Sequence, residues 1–333
     1  GVALEIQPLG AAPPGVFEDM TLIPEAVPVA VDLSVVVPVY KEEANIRPFL
    51  ERTEKVLGGM GLSYEIIFSL DPSPDRTEEV ILEEARRNPN VKLMVFSRRF
   101  GQPAATMAGI LECRGRLCCV IDVDLQDPPE LIPELVAKLD EGYDVAYAQR
   151  RTWPKRAISY FGYAVISRAS EVKIPVNTGD FRVMTRRVVE ELRSLRECHG
   201  FLRGLVAYVG FPQAAVLYDR DPRLSGKGNY NPFTGSFKIG LNGLISFSSR
   251  PLQYMSICGF ILAGFSFLLG LFYVGQRAFG VDLTPGLSTT VLFISFFSGV
   301  QLLGLGLIGE YVARIYDEVK QRPLYILRDK VNF

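Results

Sequence analysis

Leu33-Ser-Val-Val-Val-Pro-Val-Tyr40 begins the regular pattern of this chain. A run this continuously apolar predicts a strand buried on both faces. Residues 43–58 carry apolar positions at helical spacing and predict an amphipathic helix. Tyr64–Leu70 reads as a second strand ending at Asp71. Asp75-Arg-Thr-Glu-Glu then supplies a capping oxygen and an acidic first turn for a second helix. Val91–Phe96 gives a third strand and Gln102–Cys113 a third helix. Arg116–Ile121 is again a short apolar run. Pro128-Pro129 can open a helix over 129–140, and a strand over Asp144–Gln149 follows. Strands and helices alternating at this spacing predict an α/β fold with a doubly wound, mostly parallel sheet. No G-x-G-x-x-G follows the first strand and no Walker A motif is present, so neither phosphate-binding signature applies.

The C-terminal third loses this alternation. Residues 251–276 carry no charged side chain, and neither do residues 283–309. As helices each would reach about 39 Å at ~1.5 Å per residue, against a hydrocarbon core of ~30 Å. A hairpin of two transmembrane helices is expected, about 251–276 and 286–310, with glycines such as Gly264, Gly270, Gly304 and Gly309 permitting close packing. Arg250 precedes the first span, and Arg314, Lys320, Arg322, Arg328 and Lys330 follow the second. Positive flanks would put both the large N-terminal domain and the C-terminus on the cytoplasmic side of the inner (plasma) membrane. Segments 155–173 and 232–250 combine helical apolar spacing with basic residues. That suits interfacial amphipathic helices, although core-facing helices share the pattern. The expected organisation is an extended, proline-rich arm over 1–31 and a cytoplasmic α/β domain over 32–231. The second interfacial helix, the hairpin over 251–312 and a cytoplasmic tail over 313–333 follow.

Composition narrows the chemistry. The 333 residues carry a net charge of −1, which gives no basic excess for nucleic acid. The five cysteines show neither metal-ligand spacing nor a paired framework and read as reduced thiols. A single histidine, His199, leaves no material for a multi-histidine metal site or a His-based triad. No signal peptide is expected, because the first residues lack a basic stretch followed by an apolar one.

The chemistry concentrates in Ile121-Asp-Val-Asp-Leu-Gln-Asp-Pro-Pro-Glu130. A buried strand would deliver Asp122 and Asp124 at its carboxyl end, where open α/β sheets bind ligands. Hard divalent cations take oxygen ligands, and Mg²⁺ uses one or two carboxylates together with substrate phosphates. An Asp pair at such a place can equally cap a loop, so context has to decide.

Val35-Val-Val-Pro38-Val-Tyr40, the Asp71…Asp75 loop, Asp122-Val-Asp124-Leu-Gln126-Asp127-Pro-Pro and Gly179-Asp180-Phe-Arg182 together resemble the family 2 glycosyltransferases of GT-A fold. With the two C-terminal spans, the chain is similar to the polyprenyl-phosphate glycosyltransferases related to dolichyl-phosphate mannose synthase. Lys173–Met184 and Gly309-Glu310-Tyr311 through Tyr316 resemble the bactoprenol glucosyltransferase branch. The resemblance covers about residues 33–328.

It implies an inverting, metal-dependent transfer of a hexose, by default glucose, from a UDP-sugar to undecaprenyl phosphate. The lipid-linked sugar would serve cell-surface glycan or lipid modification. It also implies Mg²⁺ or Mn²⁺ held by Asp122 and Asp124, with Gln126 as a lesser ligand. Pro38, Tyr40, Glu42, Asp71, Asp122 and Arg150 would bind the nucleotide sugar. Asp180 would be the catalytic carboxylate beside Asp124, and Arg151, Arg182, Arg203 and Lys227 would meet the acceptor phosphate. Relatives imply a homotetramer, contact with membrane lipid and a separate flippase downstream.

Three positions depart from the family pattern. Lys41 replaces an Asn, Leu70-Asp71-Pro72-Ser73 replaces Asp-Asp-Gly-Ser, and Gly228-Asn229-Tyr230 replaces a Ser-Lys-aromatic motif. These keep two other readings open: a catalytically silent membrane scaffold, and the same fold with a GDP-mannose, N-acetylhexosamine or aminoarabinose-type donor. The joint presence of Asp71, Asp122, Asp124 and Asp180 argues against the scaffold.

Overall fold

The computed structural model describes residues 29–151, 175, 178–195, 202–220, 250–279 and 286–333. The segments expected to form an arm (up to residue 28) and interfacial helices (155–173 and 232–249) lie outside these residues, as do Lys227 and Asn229.

The alternation read from the sequence appears in order. β1 (Val31–Val39) leads to α1 (Ile46–Met60), β2 (Tyr64–Leu70), α2 (Thr77–Arg87), β3 (Val91–Phe96) and α3 (Gln102–Glu112). β4 (Gly115–Val120), a 3-10 turn at Pro129–Leu131, α4 (Ile132–Asp140) and β5 (Val145–Arg150) come next. Then come β6 (Thr178–Thr185), α5 (Arg186–Ser194), α6 (Leu202–Val209) and β7 (Gln213–Tyr218). Two long helices, α7 (Arg250–Ala278) and α8 (Leu287–Val319), precede a final strand β8 (Leu327–Val331).

All the strands among the described residues join one 8-stranded sheet in the order β7-β5-β6-β4-β1-β2-β3-β8. β3, β2, β1 and β4 are mutually parallel, as are β5 and β7, while β6 and β8 run antiparallel to their neighbours. The strand order reverses at β1, with β2 on one side and β4 on the other. The crevice at the carboxyl ends of β1 and β4 is therefore the topological switch point.

β1 shows why its sequence is apolar throughout. Leu33, Val35 and Val37 enter one core with Phe49, Ile66 and Phe68, while Val36 enters another with Ile67, Met94 and Met107. Helices cover both faces, so alternate side chains find hydrocarbon on either side. The foot of β4 is fixed by a buried polar cluster. Glu65 accepts the backbone N–H of Arg114 at 2.7 Å, the Ser34 hydroxyl, and the Lys92 ammonium at 2.5 Å. Each polar atom there is paired, as burial requires.

Residues 313–333, expected as a tail, contain the last turns of α8 and then rejoin the domain. β8 pairs antiparallel with β3, and the Asn332 amide donates to the Ala85 and Val91 carbonyls at 2.8 Å each. α7 and α8 expose Phe260, Phe267, Leu302 and Leu303. Among the described residues, Arg250–Phe272 and Phe296–Val319 are long and apolar enough to cross a membrane.

α3 packs so closely that its backbone nearly touches the sheet. A Cβ added at Gly109 would lie 2.2 Å from Val36 Cγ1 and 2.9 Å from Ser69 Oγ. Gly to Ala in a helix interior normally stabilises by about 1 kcal/mol. Here overpacking, which costs about 1–3 kcal/mol, should win. Gly109→Ala is therefore expected to lower the thermal midpoint of the full-length protein. An unchanged or raised midpoint would refute this packing account.

Candidate active site

β1 and β4 separate at the switch point for a local covalent reason. The last bond of their ladder runs from the Ile121 N–H to the Val36 carbonyl at 3.1 Å. The next rung on that side would need an N–H from residue 38, and Pro38 has none. Pro38 remains buried and pairs on its other side in register with Ser69. β4 ends at Val120, and Asp122–Asp127 turns across the crevice.

That turn is tight. Leu125 adopts φ +58° while its side chain is buried in the core beside Val123. A left-handed conformation at a γ-branched residue costs of order 1–3 kcal/mol, so the surrounding packing has to hold it. The Asp124 carboxylate takes the Gln126 N–H at 3.2 Å and is itself buried. Asp122 accepts a hydrogen bond from the Gln102 side-chain amide at 3.0 Å. Gln102 opens α3, which Gly101, at φ +92°, allows to start hard against the crevice. Nothing in the sequence pattern singled out Gln102.

Asp180 lies on β6, and its Oδ1 accepts Arg203 Nε at 2.9 Å. Arg203 also donates to the Thr178 carbonyl at 2.8 Å. Arg182 is buried and donates to the backbone carbonyls of Gly179 (3.2 Å) and Asp180 (3.3 Å). It binds the backbone of its own strand, and Arg203 is the partner of the carboxylate. Burial lowers the Arg182 pKa to about 10, with Asp180 opposing the shift and Arg203 reinforcing it.

The charges are unevenly matched. The Asp122 pKa is pushed up to about 7, by burial first and then by repulsion from Asp180, Asp127 and Asp124, against a pull from Arg220. A carboxyl among carboxylates holds a proton where a cation would fit, and the donors are all oxygens. Among the described residues no three His, Cys, Asp or Glu side chains form a closed metal site. The Asp122–Asp124 pair suits a hard cation that keeps water and phosphate ligands.

The residues expected to bind the nucleotide sit on neighbouring loops at the same sheet edge. Tyr40 follows β1, and the Arg99 guanidinium stacks 4.0 Å over its ring. Glu42 bonds through its backbone N–H to Thr77 Oγ1 at 3.1 Å and through its carboxylate to the Asn45 amide at 2.5 Å. Lys41, at φ +58°, donates its N–H to Ser73 Oγ at 3.0 Å, so the departure from Asn leaves this loop contact in place. Asp71 is buried, and its two oxygens accept the N–H groups of Phe100 (2.8 Å) and Gly101 (2.9 Å). It thereby clamps the loop after β3. Asp75 takes the Thr77 hydroxyl at 2.7 Å just ahead of α2. Burial pushes its pKa up, but hydrogen bonds from Ser73 and Thr77 bring it below the usual value.

Of the expected cations, Arg150 ends β5 beside Tyr218. Arg151 forms an exposed pair with Asp219 at 3.3 Å. Asp124 and Asp180 are near enough to Asp122 to raise its pKa, Arg203 pairs with Asp180 and Arg150 lies beside Tyr218, whereas Arg151 is on the surface. Asp127 and Tyr218, both buried, pair with one another next to Arg150. Asp127 stood in the quoted motif without a role, and Tyr218 had no sequence signal.

Residues 34–193 match the family model described as glycosyl transferase family 2. An uncharacterised glycosyltransferase of Synechocystis is 42% identical over 305 residues, covering 90% of this chain and 95% of that protein. A prophage-derived bactoprenol glucosyl transferase of Shigella flexneri is 36% identical over 301 residues, covering 89% of this chain and 97% of its own. Among solved structures, a mannosyltransferase from Pyrobaculum calidifontis in complex with GDP-Man and Mn²⁺ covers 89% of this chain and 92% of its own. Its identity is 16% and its TM-score 0.45. Identity of this extent along nearly the whole of both relatives carries the conclusion: the chain is a glycosyltransferase and belongs to glycosyl transferase family 2, in the branch of the bactoprenol glucosyl transferases.

Proposed function

We propose that this chain transfers a hexose, glucose, from a UDP-sugar to undecaprenyl phosphate at the cytoplasmic face of a membrane, with inversion at the anomeric carbon. One juxtaposition carries the reading: the Asp122–Asp124 pair and the Asp180–Arg203 pair share the switch-point crevice of a chain that also bears two exposed apolar helices. Relatives named bactoprenol glucosyl transferase, 34% to 36% identical across 89% to 90% of this chain, support the acceptor class.

In this reaction an acceptor phosphate oxygen attacks the anomeric carbon while the bond to the nucleotide's terminal phosphate oxygen breaks. A phosphate monoester has a second pKa of about 6, so the nucleophile arrives ionised and needs no base. Asp180, held by Arg203, orients the sugar or acceptor. Mg²⁺ or Mn²⁺ at Asp122 and Asp124, with Gln126 adjacent, supplies positive charge for the departing diphosphate when bound. Arg150 adds a further positive charge beside that turn. The two helices would anchor the protein where the lipid headgroup lies, with a homotetramer as the assembly and a separate flippase receiving the product.

Purified full-length protein should convert undecaprenyl phosphate and UDP-glucose to a hexosyl-phosphate lipid when Mg²⁺ or Mn²⁺ is present, as read by mass spectrometry. Asp124→Ala should lower kcat/KM about 100-fold or more, the scale of losing one charge-stabilising group. Product from a folded Asp124→Ala protein at the wild-type rate would sink the metal-site assignment. Absence of product with every UDP- and GDP-sugar would favour the scaffold reading.

The raised Asp122 pKa fixes a sign. Below about 7 the carboxyl holds a proton that a cation must displace, and above it the site is already ionised. Mn²⁺ affinity should therefore climb as pH rises to about 7, with proton release, and level off above it. Calorimetry in buffers of different ionisation enthalpy measures that release. Asp122→Asn should weaken binding and flatten the dependence. Binding that is indifferent to pH in the wild type would contradict the account.

A further inference from the structure

Asp127 has no part in the chemistry above, yet it is only 1% exposed and sits directly after the Asp122–Gln126 turn. Its Oδ1 accepts the Tyr218 hydroxyl and pairs with Arg220 Nε at 3.5 Å. Tyr218, the buried last residue of β7, also takes a hydrogen bond from Arg150 at the end of β5. Gly179 on β6 closes the cluster. A Cβ there would lie 3.7 Å from Asp127 Oδ2 and 3.6 Å from the Arg150 guanidinium. One buried carboxylate thus gathers the ends of β5, β6 and β7 against the turn that carries Asp122 and Asp124.

A buried carboxylate persists only when its charge and lone pairs are met, and Asp127 is met by a phenol and a guanidinium. Arg220 differs from its anchor in exposure. Its side chain is 31% exposed, whereas that of Asp127 is 1% exposed. The guanidinium is therefore held at Nε by a buried carboxylate and is partly open elsewhere. A guanidinium offers several donors in a planar fork, the geometry that suits phosphoryl oxygens.

We infer that Asp127 is a positioning residue that, together with Tyr218, aims Arg220 at a phosphoryl group bound beside Asp122 and Asp124. The inference rests on the transferase reading above. The phosphoryl group belongs either to the donor's diphosphate or to the acceptor's monophosphate, and both offer the same oxygens.

The test compares full-length wild type, Asp127→Asn, Arg220→Gln, the double variant and Arg220→Lys. KM is measured separately for UDP-sugar and for undecaprenyl phosphate, and UDP binding is followed by calorimetry. Asp127→Asn and Arg220→Gln should each raise the same KM about tenfold or more, the scale of a hydrogen bond to a charged group. The KM that rises identifies the phosphate. Because Asp127 acts through Arg220, the double variant should be no worse than Arg220→Gln alone. Arg220→Lys should recover part of the loss. Arg220 is partly exposed, so its substitutions remain informative if Asp127→Asn fails to fold. Additive losses, or an Arg220→Gln protein with both KM values unchanged, would overturn the inference. An active wild type with that pattern would leave the transferase reading standing. A wild type that neither transfers sugar nor binds UDP would overturn both.

Discussion

The ladder between β1 and β4 ends where Ile121 donates to Val36, because Pro38 has no N–H for the next rung. Much else follows from that missing proton. The two central strands part while still parallel, and the chain beyond Ile121 is released across the crevice instead of continuing the sheet. Leu125 accepts a left-handed backbone there because its side chain is buried in the core. The turn that carries Asp122 and Asp124 is thus held from below by hydrocarbon packing and from the side by Asp124 accepting the Gln126 N–H. Carboxylates that would repel one another in a floppy loop are kept together by a scaffold that cannot relax around them.

Charge in the crevice is balanced carboxylate by carboxylate. Asp180 has Arg203, Asp127 has Arg220 and Tyr218, and Asp71 has two backbone N–H groups. Asp122 receives the neutral amide of Gln102, and it is the carboxyl pushed up to about 7, by burial and by its acidic neighbours. Negative charge is concentrated where Asp122 and Asp124 sit together on the turn. Such a distribution favours a divalent cation and a phosphate-bearing ligand arriving together, since either alone leaves the site out of balance.

The C-terminal region links the apolar helices to that site through the sheet. After α8 the chain passes Tyr325, which packs on Phe96 with ring centroids 5.8 Å apart, and Ile326, whose carbonyl accepts the Ser97 N–H at 2.9 Å. β8 then lies along β3, whose following loop is the one clamped by Asp71. The long apolar helix α8 is therefore tied, through β8, to the edge strand whose following loop Asp71 clamps. Lys330 pairs with Glu112 at 2.8 Å, and Arg328 pairs with Glu78, which ties the same strand to α3 and α2.

The alternation through β5, the two long apolar helices and the acidic turn are legible in the residue pattern alone. Each of these is a local signal: strands buried on both faces must be apolar along their length, and a lipid-length helix must shed its charges. β2 and β3 fall on the residues the pattern named, and Asp122 and Asp124 fall at a strand's carboxyl end. β6, β7 and β8 escaped the pattern. β6 carries Asp180 and Arg182 within a strand, β7 alternates as an edge strand does, and Arg-Asp-Lys fills β8. What draws these strands into the sheet is pairing with partners distant in sequence. Contacts across the fold make Arg203, not Arg182, hold the Asp180 carboxylate, make Asp71 clamp a loop, and bring Asp127 to Tyr218 and Arg220. Partner choice among like-charged side chains depends on distances across the sheet, and periodicity along a chain carries no information about them.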